Sequence, residues 1–175
     1  MKFENFYSPE DKLTWWGDGE WVTEPDKVTF EHQGIDCMVL RSAIEEPYTK
    51  EVCIFGGYLS GYISIPPNHP FYHKIFEKIL IDCHGGLTFG ECSDGHWIGF
   101  DCAHSNDYVP SIEHLKKTSP FMEDYRKETQ ELKKLYPSSI IWNKSYKNIQ
   151  FCIDQCKSMA EQLIELGKDS KPDDS

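Results

Sequence analysis

The sequence predicts an α+β domain, in which a mainly antiparallel, twisted sheet carries an amphipathic C-terminal helix on one face. Three observations support this fold class. Short β-rich runs punctuated by glycine and proline occur between Ile35 and Cys102. Asp94-Gly95, a favoured hairpin dipeptide, separates two of these runs. Apolar residues then recur at spacings of three and four between Ile149 and Leu166, as in a helix that buries one face.

Length and charge limit the class of protein. The chain has 175 residues and a formal net charge of −11, which indicates one acidic domain over residues 1–167. Contacts to a nucleic-acid backbone need clustered Lys and Arg, so an extended nucleic-acid partner is not expected. No apolar run has the length of a signal peptide or a membrane span, and seven cysteines without paired spacings fit a reducing compartment. We therefore expect a cytoplasmic protein without a membrane partner, and a homo-oligomer stays open.

The first half of the chain is predicted to contain three strands. Residues 1–34 are rich in aromatic side chains, and we predict an irregular segment held in place by its three tryptophans. Gly56-Gly57 is predicted to break the chain between the second and third strands. The predicted strands run from Ile35 to Arg41, from Glu51 to Phe55 and from Tyr58 to Ile65.

A short helical turn and a hairpin follow. Asn68 is the predicted cap of a helical turn over residues 69–77. Ile79 to Cys83 is predicted to be a buried strand. The two hairpin strands run from Leu87 to Cys92 and from Trp97 to Cys102.

Two helices are predicted at the C-terminal end. The first begins at Ser119-Pro120, within a charged helical insertion over residues 111–144, and its many charged side chains predict that it is mostly exposed. The second begins at Ser145 and ends at Gly167, a residue type that often terminates helices. Residues 168–175 are polar and predicted to be a disordered tail.

The hairpin register predicts which side chains share a face. A two-residue Asp-Gly turn pairs Gly90 with Gly99 and Thr88 with Asp101, so these four residues lie on one face. His84 belongs to the same face by alternation. The core face would carry Leu87, Phe89, Ile98, Phe100 and Cys102.

His104 is the uncertain member of this arrangement. Strict alternation places it on the core side, but it lies at the end of its strand, before Ser105-Asn106-Asp107. A turn there could rotate it toward His84, and the sequence leaves this open.

Titratable side chains beside glycines between Cys83 and His104 predict a site. Its predicted catalytic residues are His84, Asp101 and His104. His84 would be general base or metal ligand, Asp101 its partner carboxylate, and His104 general acid or second ligand. The same three side chains could hold a divalent metal ion such as zinc or manganese, act without a metal, or form a structural hydrogen-bond network.

Five further residues are predicted to bind the ligand. Gly85 and Gly86 would offer backbone N–H groups to an anionic group, although a simple bulge explains them equally well. Thr88 contributes a hydroxyl and Tyr58 a ring for stacking. Asp107 is predicted either to orient a histidine or to form a turn.

Two motifs resemble a known group of proteins. His84-Gly85-Gly86-Leu87-Thr88 and Gly99-Phe100-Asp101-Cys102-Ala103-His104 are similar to segments of small bacteriophage and prophage proteins that have no assigned activity. The resemblance covers roughly residues 56–110 and 145–166. It implies a phage-type accessory protein in the cytoplasm of a bacterial host cell, and it implies no reaction.

The predicted function is a small-molecule site that binds or hydrolyses a nucleotide-like or phosphorylated ligand, such as a signal used in host defence. If the protein is an enzyme, a hydrolase of phosphodiesterase type, with or without a metal, is the simplest activity. The alternative is a protein–protein inhibitor of a host factor, which would dock through the acidic surface that includes residues 123–131.

Overall fold

The computed structural model describes residues 1–46, 53–72, 74–91, 96–139 and 142–169. The strands are β1 (Lys2–Glu4), β2 (Lys27–His32), β3 (Ile35–Glu46), β4 (Cys53–Ile65), β5 (Phe89–Glu91) and β6 (His96–Asp101). They form one antiparallel sheet in the order β1-β2-β3-β4-β6-β5. The helices are α1 (Pro9–Trp16), α2 (Pro110–Thr118), α3 (Glu123–Leu135) and α4 (Ile149–Asp169). The predicted α+β class is confirmed. Within the ranges described, none of these helices has both the length and the apolar character that a membrane span needs.

The core lies between α4 and one face of the sheet. An ideal side chain on Gly61 of β4 would lie 2.8 Å from Cys156 Sγ, so glycine lets the helix approach the strand closely. The predicted amphipathic helix and its packing are therefore confirmed. Its buried side chains, all at most 9% exposed, are Ile149, Cys152, Ile153, Cys156, Met159, Ala160 and Leu163.

Both ends of α4 differ from the prediction. Asn148 caps the helix, because its Oδ1 accepts a hydrogen bond from the Phe151 N–H at 3.0 Å, and Ser145 lies before the helix. Gly167 lies inside the helix, where its missing side chain leaves room for the His69 ring. The helix continues to Asp169, and residues 170–175 of the predicted tail lie outside the described residues.

The region predicted as a charged insertion has two parts. α3 has no buried residue among those described, which confirms an exposed charged helix. α2, by contrast, packs on the sheet, since an ideal side chain on Gly57 would lie 2.8 Å from Pro110. The insertion over residues 111–144 is therefore only partly an outlying segment.

The N-terminal segment 1–34 is more regular than predicted, since it contains β1, α1 and β2. α1 begins with a capping box, in which Ser8 Oγ accepts from the Asp11 N–H and Asp11 Oδ2 accepts from the Ser8 N–H. Trp16 and Trp21 are 1% and 5% exposed, so the predicted anchoring by aromatic side chains is found. The aromatic composition of this segment gave no indication of the capped helix α1 or of the paired strands β1 and β2.

Gly56-Gly57 bends one long strand rather than separating two. β4 continues through both glycines, and its register with β3 shifts between Arg41 and Ala43, which is a β-bulge. Their φ angles of 137° and 83° are ones that L side chains rarely adopt. The predicted break is therefore wrong, and residues 51–52 lie outside the described residues.

The hairpin strands pair one residue away from the predicted register. Phe89 pairs with Gly99 and Gly90 with Ile98, whereas the prediction placed Gly90 opposite Gly99. Because side chains alternate, this shift exchanges the two faces of β5. Gly90 lies on the core face against Phe76, and Phe89 lies on the outer face. The predicted shared face of Thr88, Gly90, Gly99 and Asp101 is therefore wrong.

Residues 92–95, which include the predicted Asp94-Gly95 turn, lie outside the described residues. The placement of β6 is nevertheless as predicted on its core face, because Ile98 and Phe100 are at most 1% exposed.

The predicted strand at residues 79–83 bonds to a helix instead. The Gln162 side chain of α4 accepts from the Asp82 N–H and donates to the Asp82 carbonyl, both at 2.8 Å. Ile79 and Ile81 are buried, as predicted. The segment pairs with α4 side chains instead of a neighbouring strand, and it turns tightly where the Ile81 N–H donates to the Ile79 carbonyl at 3.1 Å.

The predicted helical turn over residues 69–77 is found only as separate short turns in its described part. The Tyr72 N–H donates to the His69 carbonyl at 2.9 Å, and a 3₁₀ turn lies at Phe76–Lys78. His69 is engaged with α4, where its Nε2 lies 3.0 Å from the Leu163 carbonyl oxygen.

A buried charge network ties the sheet to the N-terminal segment. The Arg41 side chain of β3 donates from Nε to Asp26 Oδ1 at 3.0 Å, and from Nη2 to Glu24 Oε2 at 3.0 Å. Its Nη1 donates to the Gly57 carbonyl at 2.8 Å. Lys12 of α1, 2% exposed, lies 2.7 Å from Asp26 Oδ1. Two cations therefore balance two carboxylates where water is excluded.

The same network reaches the start of α4 through Tyr146. The Tyr146 hydroxyl accepts from Arg41 Nη1 at 2.8 Å and donates to Glu24 Oε2 at 2.7 Å. Burial raises the pKa of the Tyr146 phenol well above its usual range, so the phenol stays protonated and keeps its donor. Glu24 Oε1 accepts from the Ile149 N–H at 2.9 Å. The network thus positions the last helix relative to the sheet.

We expect Asp26→Asn to lower the free energy of unfolding by about 3–5 kcal/mol, because Lys12 would lose the carboxylate it contacts and Arg41 would keep only that of Glu24. Urea denaturation followed by circular dichroism measures this change. The control is Asp154→Asn, because the Asp154 carboxylate lies 3.6 Å from Lys157 Nζ and its side chain is 59% exposed. In Asp154→Asn the free energy of unfolding should fall by less than about 1 kcal/mol. Equal losses in the two variants would contradict the importance of the network.

Candidate functional site

His84 lies in a tight turn that α4 holds in place. The Gly86 N–H donates to the Cys83 carbonyl at 3.0 Å, and Gly85 between them has a φ of +69°. Positive φ at the third position is the reason such turns need glycine. Gln155 of α4 accepts from the His84 N–H at 2.8 Å. The backbone of His84 is therefore fixed from both sides.

His104 and Asp107 come from the loop after β6. The Asp107 N–H donates to the His104 carbonyl, and Asp107 Oδ2 accepts from the His104 N–H, both at 2.9 Å. A parallel bridge also pairs Asp107 with Ser145, ahead of α4. This turn rotates His104 out of the strand alternation. The imidazole rings of His84 and His104 lie side by side, with 5.2 Å between their centroids.

The Asp107 carboxylate joins the two imidazoles. His84 Nε2 lies 2.9 Å from each Asp107 oxygen, and His104 Nδ1 lies 3.2 Å from Oδ2. Ligand atoms of all three side chains lie within 4.8 Å of one another. The Asp107 side chain is 1% exposed, whereas His84 and His104 are 21% and 32% exposed. A buried anion therefore holds two imidazoles that a ligand can reach.

Aromatic rings and a glycine surround this cluster. The His84 ring packs edge-on against Phe151 at 5.3 Å and against Phe100 at 6.4 Å between centroids. An ideal Cβ on Gly85 would lie 2.1 Å from two atoms of the His104 ring. Gly85 is thus required twice, by its backbone conformation and by the neighbouring imidazole.

Asp101 is near the cluster but is not the partner of His84. Its Oδ1 accepts from the Ala103 N–H at 3.0 Å and lies 3.9 Å from His104 Nδ1. The predicted pairing of His84 with Asp101 is therefore wrong. Asp107 takes that place, because the turn after β6 brings it back toward His84 whereas Asp101 remains on the strand.

The predicted ligand-binding residues are only partly near the cluster. The Gly86 N–H is used by the Cys83 carbonyl, whereas no acceptor among the described residues takes the Gly85 N–H. Thr88 is exposed and donates its N–H to the Gly99 carbonyl at 2.9 Å. Tyr58 contacts Phe55, with ring centroids 6.5 Å apart. In the part of the chain that the structure describes, neither Thr88 nor Tyr58 contacts the three clustered side chains.

The neighbouring cysteines belong to the core. Burial, with the Asp82 charge adding to it, raises the pKa of the Cys83 thiol to about 11, so it is protonated at neutral pH. Cys102 Sγ lies 3.7 Å from Cys152 Sγ. Both Cys102 and Cys152 are buried, and neither thiol is one of the three clustered ligands.

The cluster fits two kinds of chemistry. Two imidazoles and one carboxylate are a ligand set of metal sites that keep open positions. Ligand atoms around tetrahedral zinc stand about 3.3 Å apart, close to the observed 2.9 and 3.2 Å. Without an ion, the carboxylate orients both imidazoles, and each ring keeps a nitrogen for proton transfer. A purely structural network accounts for the same hydrogen bonds, and the chemical alternatives rest on the partial exposure of the two imidazoles.

Asp107 does both things predicted for it, since it orients a histidine and forms the turn after β6. The signal was its position three residues after His104 in a Ser-Asn-Asp segment, where an Asp side chain commonly accepts a backbone N–H of its own turn. That local bond fixes the carboxylate beside His104. Its contact with His84 depends on the tertiary fold.

Comparison with known proteins assigns nothing further. No protein-family model matches the chain, and no curated protein or solved structure matches it significantly. The resemblance to phage proteins and the function stay predictions.

We expect Gly85→Ala to displace the His104 ring, because the added methyl would overlap it. The matched control is Gly86→Ala, since Gly86 also has positive φ, of 84°, but nothing lies within 4 Å of its ideal Cβ. Both variants should lose about 1 kcal/mol of stability from backbone strain, and only Gly85→Ala should shift the His104 side-chain resonances in ¹⁵N NMR. Equal shifts in the two variants would mean that the packing does not position His104.

Proposed function

We propose that His84, His104 and Asp107 bind a divalent metal ion, and that this centre is a small-molecule site that hydrolyses a phosphorylated ligand. The single observation that carries the proposal is the convergence of two part-exposed imidazoles on one buried carboxylate. A phage-type accessory role in a bacterial host, as the motif resemblance implies, is compatible with such a site and stays a prediction.

The charge of the cluster supports a bound cation. Asp107 is 1% exposed and has two imidazoles and one backbone N–H as its partners, with no Lys or Arg in contact among the described residues. A divalent ion would supply the positive charge that the contacts of Asp107 lack. The nitrogen and oxygen atoms that the three side chains offer suit zinc or manganese. By contrast, the other deeply buried acid, Asp26, is already paired with Lys12 and Arg41.

The same cation would reduce the repulsion between a phosphorylated ligand and the negatively charged protein. A chain with a net charge of −11 repels a phosphorylated ligand unless the site is locally positive. The Gly85 N–H, beside the His104 ring, is an available donor for a phosphoryl oxygen. A bound metal ion supplies Lewis acidity and makes its water easier to deprotonate.

Hydrolysis then balances with this chain's own groups. The oxygen of water forms a bond to phosphorus, and the bond from phosphorus to the leaving oxygen breaks. One proton of the water goes to a base, which later returns it to the leaving oxygen, and the other proton stays on the oxygen newly bonded to phosphorus. Asp101, 33% exposed and 3.9 Å from His104 Nδ1, is placed to accept or relay the first proton.

We expect the purified untagged protein to bind about one equivalent of zinc or manganese, measured by elemental analysis and by Co²⁺ absorption. His84→Asn and His104→Asn should weaken binding by more than about 100-fold, because losing even an outer partner of a ligand commonly costs about 10–100-fold. The matched control is His32→Asn, because His32 is a surface imidazole that pairs with Glu161. It should leave binding unchanged.

Asp101→Asn should also retain the metal, which separates Asp101 from the ligand set. A wild-type protein that binds no divalent ion at micromolar concentration would refute the metal site, whatever the folding of the variants.

We expect metal-loaded protein to hydrolyse some members of a panel of p-nitrophenyl phosphate, bis(p-nitrophenyl) phosphate and common nucleotides. Chelation should abolish turnover, and Asp101→Asn should lower kcat by about 10²-fold, the lower range for loss of a general base. Chromatography of the denatured mixture shows whether ligands return altered. Ligands bound but returned intact would mean that the site is a binder and not an enzyme.

A second candidate function is the inhibition of a host protein through α3. The observation that favours it is the exposure of this helix, which has no buried residue among those described and carries four carboxylates beside four cationic side chains. A partner with basic side chains opposite those carboxylates is the chemistry that would match it. Charge reversal at Glu123, Glu128 and Glu131 would abolish such an activity, whereas His84→Asn would leave it intact.

A further inference from the structure

A groove on the surface is positively charged, whereas the molecule as a whole is negatively charged. The groove, of about 370 Å³, lies between α2, α3 and the segment that contains Trp142 and Lys144. A small-ligand site has a volume of about 300 Å³ or more, so the groove is within that range. Five cationic side chains and one carboxylate, Glu113, line it. The cations are Lys116, Lys117, Arg126, Lys133 and Lys144.

Only part of this positive charge is neutralised. Glu113 Oε1 lies 3.0 Å from Lys116 Nζ and 3.2 Å from Lys144 Nζ. Burial opposes ionisation of Glu113, but the hydrogen bonds and charges of these two lysines lower the pKa of its carboxyl. One carboxylate therefore serves two lysines. Within the described residues, Lys117 and Lys133 form no ion pair.

Lys117 and Lys133 lie over aromatic rings, and Lys117 Nζ also donates to the Tyr108 hydroxyl at 3.3 Å. Lys117 Nζ lies 5.8 Å from the centre of the Tyr108 ring, and Lys133 Nζ lies 5.4 Å from that of Trp142. Such contacts are weak at an exposed site, so either ammonium group can turn toward an anion. The rings of Tyr108, Tyr125 and Trp142 line the same groove, and they offer apolar surface beside the charge.

The groove also joins α3 to the rest of the protein. α3 buries no residue, and Arg126 connects it to α2 by donating from Nη1 to the carbonyls of Lys116 and Ser119, at 3.0 and 2.8 Å. Lys116 Nζ of α2 also lies 5.3 Å from the centre of the Tyr125 ring of α3, and an anion between Lys117 and Lys133 would add a further connection. Bound ligand would therefore hold the helix against the domain.

We propose that this groove binds a small phosphorylated molecule that carries an aromatic ring, which in chemical terms is a nucleoside phosphate. The phosphates contact Lys117 and Lys133, and the ring lies against the aromatic side chains. The proposal does not depend on a metal at the histidine cluster, although Tyr108 and Lys144 of the groove directly adjoin Asp107 and Ser145 in the chain.

Calorimetric titration of the full-length protein with ADP, adenosine and inorganic diphosphate tests the proposal, with EDTA present throughout. The ring should make ADP bind at least about fivefold more tightly than diphosphate, since stacking of a base on an aromatic side chain has that size or more. The phosphates should make ADP bind more tightly than adenosine. Equal affinity for ADP and diphosphate, or for ADP and adenosine, would overturn the proposed ligand class.

The decisive variant is Lys117→Gln/Lys133→Gln, which should bind ADP at least about tenfold more weakly because two charged contacts are lost. Its matched control is Lys74→Gln/Lys78→Gln, which makes the same charge change at exposed lysines outside the groove. Equal losses in the two double variants would show only a general effect of net charge and would overturn the site.

Two further titrations separate this proposal from others. ADP should bind His84→Asn as it binds the wild type, and a loss there would place the ligand at the histidine cluster instead. A single-stranded oligonucleotide that binds where ADP does not, at millimolar concentration, would identify the groove as a nucleic-acid surface and overturn the small-ligand proposal.

Discussion

The buried ion network around Arg41 is the interaction on which the arrangement of this fold depends. Its guanidinium bonds to Asp26, Glu24, the Gly57 carbonyl and Tyr146, which belong to separate parts of the chain. Charges removed from water are tolerated only in a geometry that satisfies each of them, so the network permits one relative placement of these parts. Tyr146 directly follows the residue that pairs with Asp107. The position of the candidate site is thus linked to the core.

Asp26 and Asp107, the two deeply buried carboxylates among the described residues, have different partners. Asp26 contacts the permanently charged Arg41 and Lys12, and that closed set leaves nothing for a ligand to complete. Asp107 instead contacts His84 and His104, which can lose a proton or bind an ion. Its imidazole partners are partly exposed, whereas the partners of Asp26 are not. A buried carboxylate paired with buried cations stabilises the fold. A buried carboxylate paired with partly exposed imidazoles can take part in proton transfer or metal binding.

The two proposed sites meet along one short pair of segments. Asn106 and Tyr108, on either side of Asp107, bond with the backbone of Ser145, and Lys144 precedes that residue. Asp107 points to the histidine cluster, whereas Tyr108 and Lys144 line the basic groove. A ligand in the groove and an ion at the cluster would therefore act on the same backbone. Thermodynamic linkage would make any effect of one on the other reciprocal.

Periodicity in the sequence was enough to predict much of β3, β4 and β6, the buried face of α4 and the exposed face of α3, because burial follows local spacing of apolar residues. Local glycine and histidine content also located the candidate site. The predicted hairpin register differs from the observed one by one residue. Side chains alternate equally regularly in either register, and only the contacts of Gly90 with Phe76 and its pairing with Ile98 select the observed one. The partner of His84 was likewise decided by the tertiary structure. A hydrogen bond between residues 84 and 107 depends on where two loops meet, and no local pattern encodes that meeting.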